Sequence, residues 1–149
     1  MSRAIKVIFP TLNIEIQATL LEEQAPLTCD SVWKALAQPL EGSCRHGNDS
    51  GPELYVLMPP APNLPDENST LFPIPGDFLF YHYSGQLPRG EKMYDIGMYY
   101  DRGGASLLRV GWTPANLFAT VTENLAGLQR VAKAIHETGP KPIRVERVN

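Results

Sequence analysis

The chain has 149 residues, of which 43% are hydrophobic and 19% are charged, a balance that fits one domain over residues 1–149 with a core of its own. Its formal net charge of −3 leaves no surplus of positive charge to neutralise phosphates, so we expect neither nucleic acid nor a membrane surface as a partner. No apolar run approaches the roughly 18 residues of a membrane span, and we expect no secretory leader, which together predict a cytoplasmic protein.

Two β-strands are predicted at the start of the chain. Residues 14–20 alternate strictly between apolar and polar side chains, which is the period of a strand with one buried face. Residues 4–9 form a shorter, more apolar strand. Turn-forming residues lie between the two, so we expect an antiparallel hairpin.

The period then changes to that of a helix. Thr28 is a candidate cap for the first turn, just after Pro26. An apolar stripe with spacings of three and four follows, made of Cys29, Val32, Trp33 and Leu36. We predict a short helix that closes one end of a barrel. Neither Cys29 nor Cys44 has metal-type spacing, and we expect both to be reduced and buried.

The middle of the chain is rich in β-forming residues. Four further strands are predicted at residues 54–57, 77–83, 94–100 and 105–110. Between the first two lies a proline-rich segment, residues 58–75, which can form neither a helix nor an inner strand. This loop has either a functional role or the role of an irregular cover over the barrel.

The last third contains a second helical segment and a final strand. We interpret residues 117–121, which run into residues 125–135, as part of that segment. Its amphipathic stripe is Leu125, Leu128, Val131, Ala132 and Ile135, and Gly139 with Pro140 ends it. Ile143 and Val145 alternate with charged residues in a strand that we expect to lie beside the first strand.

This order of elements resembles that of the cyclophilins. Residues 42–47, Gly-Ser-Cys-Arg-His-Gly, lie where that family has Gly-Ser-x-Phe-His-Arg. The resemblance implies a mainly β fold, a cyclophilin-like closed β-barrel with two α-helices. Gly47 replaces the arginine that polarises the prolyl nitrogen in cyclophilins, and Arg45 replaces the phenylalanine.

Two further blocks resemble an uncharacterised bacterial branch of this superfamily. They are residues 46–53, His-Gly-Asn-Asp-Ser-Gly-Pro-Glu, and residues 67–77, Glu-Asn-Ser-Thr-Leu-Phe-Pro-Ile-Pro-Gly-Asp. The cyclophilin-like domain of the cucumopine and mikimopine synthases is similar to this branch. Those enzymes condense histidine with a 2-oxo acid and close a ring through the imine, a Pictet–Spengler type of reaction. The resemblance implies that chemistry as a candidate here.

A histidine and a glutamate are the first candidates for acid–base chemistry. Histidine is the side chain best suited to exchange protons near working pH, so His46 is the candidate base or acid, and Glu53, across a turn, could orient its imidazole. Ser50 lies between them as a candidate substrate contact. The alternative is a loop histidine bonded to backbone groups and a solvated Glu53.

Aromatic residues cluster in the central strands. Tyr81, His82, Tyr94 and Tyr99 are candidates to line a pocket in which hydroxyls donate protons or hold a carboxylate, with Tyr99 as a catalytic candidate. The alternative is that these aromatic rings simply fill a sheet face.

Two arginines are candidate clamps for a substrate carboxylate. Arg45 is next to His46, and Arg102 lies in the glycine-containing segment 100–104. The alternative for each is a solvated side chain. The three histidines have no metal-binding spacing and no glycine-rich phosphate loop follows a strand, so we predict neither a metal nor a nucleotide cofactor.

These features predict a small-molecule enzyme that uses acid–base catalysis on a carboxylate-bearing amino-acid or 2-oxo-acid substrate. Two alternatives stay open: a peptide-binding module or weak prolyl isomerase, and a non-catalytic interaction domain with an exposed apolar patch. Exposed strand edges make a homodimer a further expectation.

Overall fold

Eight antiparallel strands close into a barrel in the computed structural model, which describes residues 2–83 and 92–149. The strands of the described residues are β1 (Ala4–Phe9), β2 (Ile14–Leu20), β3 (Leu40–His46), β4 (Glu53–Leu57), β5 (Ser69–Thr70), β6 (Asp77–Tyr83), β7 (Met93–Tyr99), β8 (Leu107–Leu108), β9 (Gly111–Trp112), β10 (Ala115–Glu123) and β11 (Lys141–Arg147). The helices are α1 (Pro26–Ala35) and α2 (Leu125–Thr138).

Around the barrel the strand order is β2, β1, β11, β3, β4, β7, β6, β10, and pairing of β10 with β2 closes the ring. The short β5 adds to β10, and β8 pairs with β9 as a separate hairpin. The prediction of a mainly β, closed barrel with two helices in the described residues is confirmed.

Several local predictions are also confirmed. β1 and β2 form the antiparallel hairpin, and β11 lies beside β1. Gly139 ends α2, as predicted, at a φ of 85°. Asn124, which was not predicted as a cap, accepts from the Gly127 amide at 3.0 Å at the start of that helix. α1 begins earlier than predicted, because Pro26 lies in its first turn, where the missing N–H costs nothing.

Three local predictions are wrong. Residues 117–121 belong to β10, because their backbone pairs with β6 on one side and β2 on the other. Only Leu107–Leu108 of residues 105–110 is a strand. Thr28 does not cap α1; its amide donates to a Glu67 carboxyl oxygen. In addition, β3 was not predicted, because most of its side chains are exposed and give no apolar period.

The core fills the barrel interior and reaches the inner faces of both helices. Cys29 and Cys44 belong to it as buried free thiols, as predicted. A second, smaller cluster lies on the outer face of β6, β7 and β10, around Tyr81 and Tyr99. None of the helices in the described residues has the length and apolar character to cross a membrane.

Candidate functional site

The outer face of β4, β6 and β7 carries an unusual set of polar side chains. Alternate residues of a strand share a face, and the register brings Glu53 opposite Tyr99 and Tyr81 opposite Asp95. Gly97 lies between Asp95 and Tyr99 on the same face. Carboxyl and phenol groups therefore converge outside the barrel, whereas the interior is apolar.

A cavity of about 130 Å³ lies over this face. The loop between β3 and β4 forms one wall and the β8–β9 hairpin another. Its lining residues are Gly47, Asn48, Asp49, Ser50, Glu53, Tyr55, Tyr81, Tyr83, Met93, Asp95, Leu108 and Arg109. The volume is comparable to the roughly 150 Å³ of an engineered cavity that holds a benzene ring. An aromatic ring or a similar small group fits within it.

Glu53 lies at the base of this cavity and is only 4% exposed. The Ser50 hydroxyl donates to its Oε1 at 2.7 Å. Two glycines leave room for the carboxyl: a Cβ at Gly47 would lie 2.6 Å from Oε1, and one at Gly97 would overlap Oε2. The local backbone is thus shaped around this carboxyl group.

Burial raises the pKa of Glu53 to about 7, because the carboxylate loses the water that would stabilise its charge. The hydroxyls of Ser50, Tyr99 and Tyr81 stabilise the ionised form and partly oppose that shift. At neutral pH the acid and the carboxylate are therefore both populated, which is what a group that both gives and takes protons requires.

Hydroxyl groups form a chain beside Glu53. The Tyr81 hydroxyl lies 2.7 Å from that of Tyr99 and 2.9 Å from that of Ser106. Ser106 in turn donates to the Thr113 carbonyl oxygen. Burial raises the pKa of both tyrosines well above the ordinary value, so both phenols stay protonated and act as hydrogen-bond donors.

A second carboxyl group, that of Asp95, lies in the same cavity and is 3% exposed. Burial raises its pKa well above the ordinary value, and the negative charge of Glu53 adds to the shift.

Positive charge reaches this cavity at its rim. Arg109, in the turn of the β8–β9 hairpin, is exposed and lines the mouth. Arg45 pairs in register with Tyr55, a lining residue, and its charge acts on the Tyr55 phenol. Arg102 lies exposed in the segment that follows β7 and is not among the lining residues.

The predicted hydrogen bond between His46 and Glu53 is wrong. In the β3–β4 pairing His46 lies opposite Leu54, so the two side chains point to opposite faces of the sheet. The His46 ring nitrogens contact the Gly47 carbonyl oxygen at 2.6 Å and the Tyr100 hydroxyl at 2.7 Å. Its ring packs on His136 of α2, outside the cavity.

Of the other predicted residues, Ser50, Tyr81 and Tyr99 meet Glu53, whereas His82 and Tyr94 do not. His82 shares the inward face of β6 with Phe80, and its Nε2 lies 3.1 Å from an Asp66 carboxyl oxygen. Tyr94 is its cross-strand neighbour and packs against the interior core.

Sequence reasoning missed Asp95, Ser106 and Arg109. The first could have been found from the period of two, since Asp95, Gly97 and Tyr99 alternate on one face of a strand that the sequence already predicts. Ser106 and Arg109 come from irregular structure, which gives no periodic signal. Within residues 2–83 and 92–149, no three His, Cys, Asp or Glu side chains group as ligands for one metal ion.

Comparison with protein families and curated proteins gives one match. The model of the family described as "Protein of unknown function (DUF3830)" matches residues 7–146. No curated protein matches the chain.

Solved structures of known proteins share the fold. The structure of McbB in complex with tryptophan is similar with a TM-score of 0.71 at 18% identity, over 95% of this chain and 44% of that one. The crystal structure of the Mimivirus cyclophilin is similar with a TM-score of 0.61 at 14% identity, over 97% and 86%. The chain thus spans less than half the length of the McbB chain. The fold is cyclophilin-like.

Proposed function

We propose an acid–base enzymatic activity for this chain, which belongs to the DUF3830 family of proteins of unknown function. Its substrates are two small molecules that carry a carboxylate, an amino acid and a 2-oxo acid. Glu53 is the group that gives and takes the proton. The reaction is a condensation of the two substrates followed by ring closure.

One observation carries this proposal: the Glu53 carboxyl is buried, has a pKa of about 7 and lines a cavity beside two buried phenols. A carboxyl group kept in that state is costly for folding and is characteristic of catalytic sites. Ser50 holds the carboxyl in place, and the Tyr99–Tyr81–Ser106 chain supplies protonated hydroxyls next to it.

The proposed reaction balances without an oxidant or reductant. The amine nitrogen attacks the carbonyl carbon of the 2-oxo acid, and a proton delivered from Glu53 lets the oxygen leave as water. A ring carbon of the amino acid then attacks the iminium carbon, forming the C–C bond. Glu53, now a carboxylate, removes the proton from that ring carbon.

Two likenesses support this choice of reaction. Residues 46–53 and 67–77 resemble blocks of the branch to which the opine-synthase domain is similar, and Glu53 itself closes the first block. McbB, which has the same fold, was solved in complex with tryptophan, an amino acid with a nucleophilic ring. A prolyl-isomerase activity has less support, because Gly47 replaces the arginine of cyclophilins.

The experiment is a mass-spectrometric search for the condensation product, which weighs the sum of the two substrates less one water. Tryptophan and histidine are each incubated with pyruvate and with 2-oxoglutarate. We expect product with the wild-type protein and a roughly 100-fold or larger loss of rate in Glu53→Gln. The exposed Glu23→Gln is the matched control. The proposal is contradicted if Glu53→Gln forms product as fast as the wild type. It is also contradicted if the wild type forms no product from any of the substrate pairs.

A further inference from the structure

Asp95 is only 3% exposed, and it lines the cavity together with Glu53. A carboxylate in such a place has lost most of its hydration, and it gains hydrogen bonds when a molecule in the cavity supplies donors. A ligand that carries such donors can therefore be bound by Asp95.

The surroundings of Asp95 favour a cation. Its neighbours across the strands are Tyr81 on β6 and Leu57 on β4, and Tyr83 and Tyr55 line the same part of the cavity. A bound cation favours the ionised form of each of the two carboxyls in this cavity, and the faces of aromatic rings attract cations as well. Arg109 is exposed and lines the mouth of the same cavity.

We propose that Asp95 is the binding site for the protonated amino group of the substrate, so that the cavity selects an aromatic amine rather than a neutral aromatic molecule. The ammonium donates to the Asp95 carboxylate, and the attached ring lies against the tyrosine walls. This deepens the proposed function, on which it rests: Asp95 holds the ammonium and takes its extra proton before the nitrogen attacks the carbonyl carbon, and Glu53 moves the protons of the later steps.

The test is a binding experiment that needs no turnover. Isothermal calorimetry measures the affinity of the wild-type protein for tryptamine, an aromatic amine, and for 3-ethylindole, which has the same ring without the amine. We expect tryptamine to bind at least tenfold more tightly. In Asp95→Asn we expect tryptamine to bind about 10- to 100-fold more weakly and 3-ethylindole to bind unchanged, because a charge-assisted hydrogen bond is lost.

Two controls separate charge from folding. Asp101→Asn removes one exposed aspartate outside the cavity and should leave both affinities unchanged. When no ligand is present, Asp95→Asn should also lose less stability than the wild type as pH rises, because burial raises the pKa of Asp95 and its ionisation desolvates a charge that asparagine does not carry. A variant that is less stable than the wild type at every pH would show a structural role for Asp95 and overturn the inference.

The inference is overturned if Asp95→Asn and the wild type bind tryptamine with equal affinity. It is also overturned if the wild type binds tryptamine and 3-ethylindole equally well, or does not bind tryptamine. The outcome is independent of the activity assay. If Glu53→Gln loses turnover while Asp95→Asn keeps its amine affinity, the acid–base proposal stands and the amine site is wrong. If Asp95→Asn loses its amine affinity while Glu53→Gln keeps its turnover, the amine site stands and the acid–base proposal is wrong.

Discussion

Glu53 is a single residue whose burial makes stability depend on pH. Its pKa is about 7 in the folded protein and about 4.5 when the chain is unfolded, so the folded state binds the proton more tightly. The stabilising contribution is complete below pH 4.5 and is lost as pH rises through 7. The loss is on the order of 3 kcal/mol.

We therefore expect Glu53→Gln to lack this decline. Urea unfolding at pH values from 5 to 8.5 should give a free-energy difference between Glu53→Gln and the wild type that grows in favour of the variant towards high pH. Glu23→Gln, at an exposed position, should keep the wild-type profile. Parallel profiles for Glu53→Gln and the wild type would show that the carboxyl is not held neutral by burial.

Gly97 is a second residue on which the site depends. A Cβ there would overlap the Glu53 carboxyl and lie 2.8 Å from Cε2 of Tyr81. We expect Gly97→Ala to lower the free energy of unfolding by about 1–3 kcal/mol, a typical cost of overpacking, and to abolish the activity by displacing Glu53.

The matched control is Gly42→Ala, also in a strand, where the new methyl group would meet Val56 Cγ2 at 3.3 Å. A side-chain methyl can yield by a few tenths of an ångström, so this change should have a smaller effect on stability and leave the activity unchanged. Equal effects of the two substitutions would contradict the special role of Gly97.

At the scale of elements, the start of α2 depends on Asn124. This residue has a φ of 70°, its Oδ1 accepts from the Gly127 amide and its Nδ2 donates to the Glu15 carbonyl oxygen at 2.9 Å. We expect Asn124→Ala to lower the free energy of unfolding by about 1–2 kcal/mol, because alanine lacks both bonds and disfavours positive φ.

Asn124→Gly separates the loss of the side-chain hydrogen bonds from the backbone strain. Glycine adopts a positive φ without strain but forms neither side-chain hydrogen bond. Guanidinium unfolding should rank its stability between those of the wild type and Asn124→Ala. An unchanged midpoint for the alanine variant would mean that packing of α2 on the barrel makes this cap unnecessary.

The β8–β9 hairpin is the element that brings Arg109 to the cavity mouth. If Arg109 binds the substrate carboxylate, Arg109→Gln should weaken tryptophan binding about 10- to 100-fold and leave tryptamine binding unchanged, since tryptamine has no carboxylate. Calorimetry with both compounds measures this.

Arg102→Gln is the control, because Arg102 is exposed and is not among the lining residues. A loss of tryptophan affinity in Arg102→Gln but not in Arg109→Gln would restore the original sequence-based prediction of that clamp.

Elements with a clear hydrophobic period could be predicted from sequence, and others could not. β2 and α2 each bury one face and expose the other, so their periods of two and 3.6 are visible in the chain. β3 has one buried residue, Cys44, and is held by its neighbours β11 and β4 rather than by its own pattern. Tertiary pairing, which no local signal encodes, makes it a strand.

At the scale of the whole molecule, the sequence could predict the fold class, while the site required the register. Glu53 and Tyr99 were named for their chemistry, but their meeting follows from the β4–β7 pairing. His46 was expected beside Glu53 because a short turn separates them in sequence. The hairpin register places the two on opposite faces, which spacing along the chain cannot reveal.

The closed barrel predicts that the core opens as one unit. Cys29 on α1 and Cys44 on β3 are both fully buried, and burial raises the pKa of each thiol to about 12. Because one continuous core joins them and every strand of the barrel has two neighbours, we expect neither thiol to become accessible before global unfolding. A thiol reagent added across a urea series, with mass spectrometry of the labelled peptides, should give one midpoint for both cysteines, equal to that seen by circular dichroism. A lower midpoint for Cys29 alone would mean that α1 detaches from an otherwise intact barrel, and that the two ends of the molecule unfold independently.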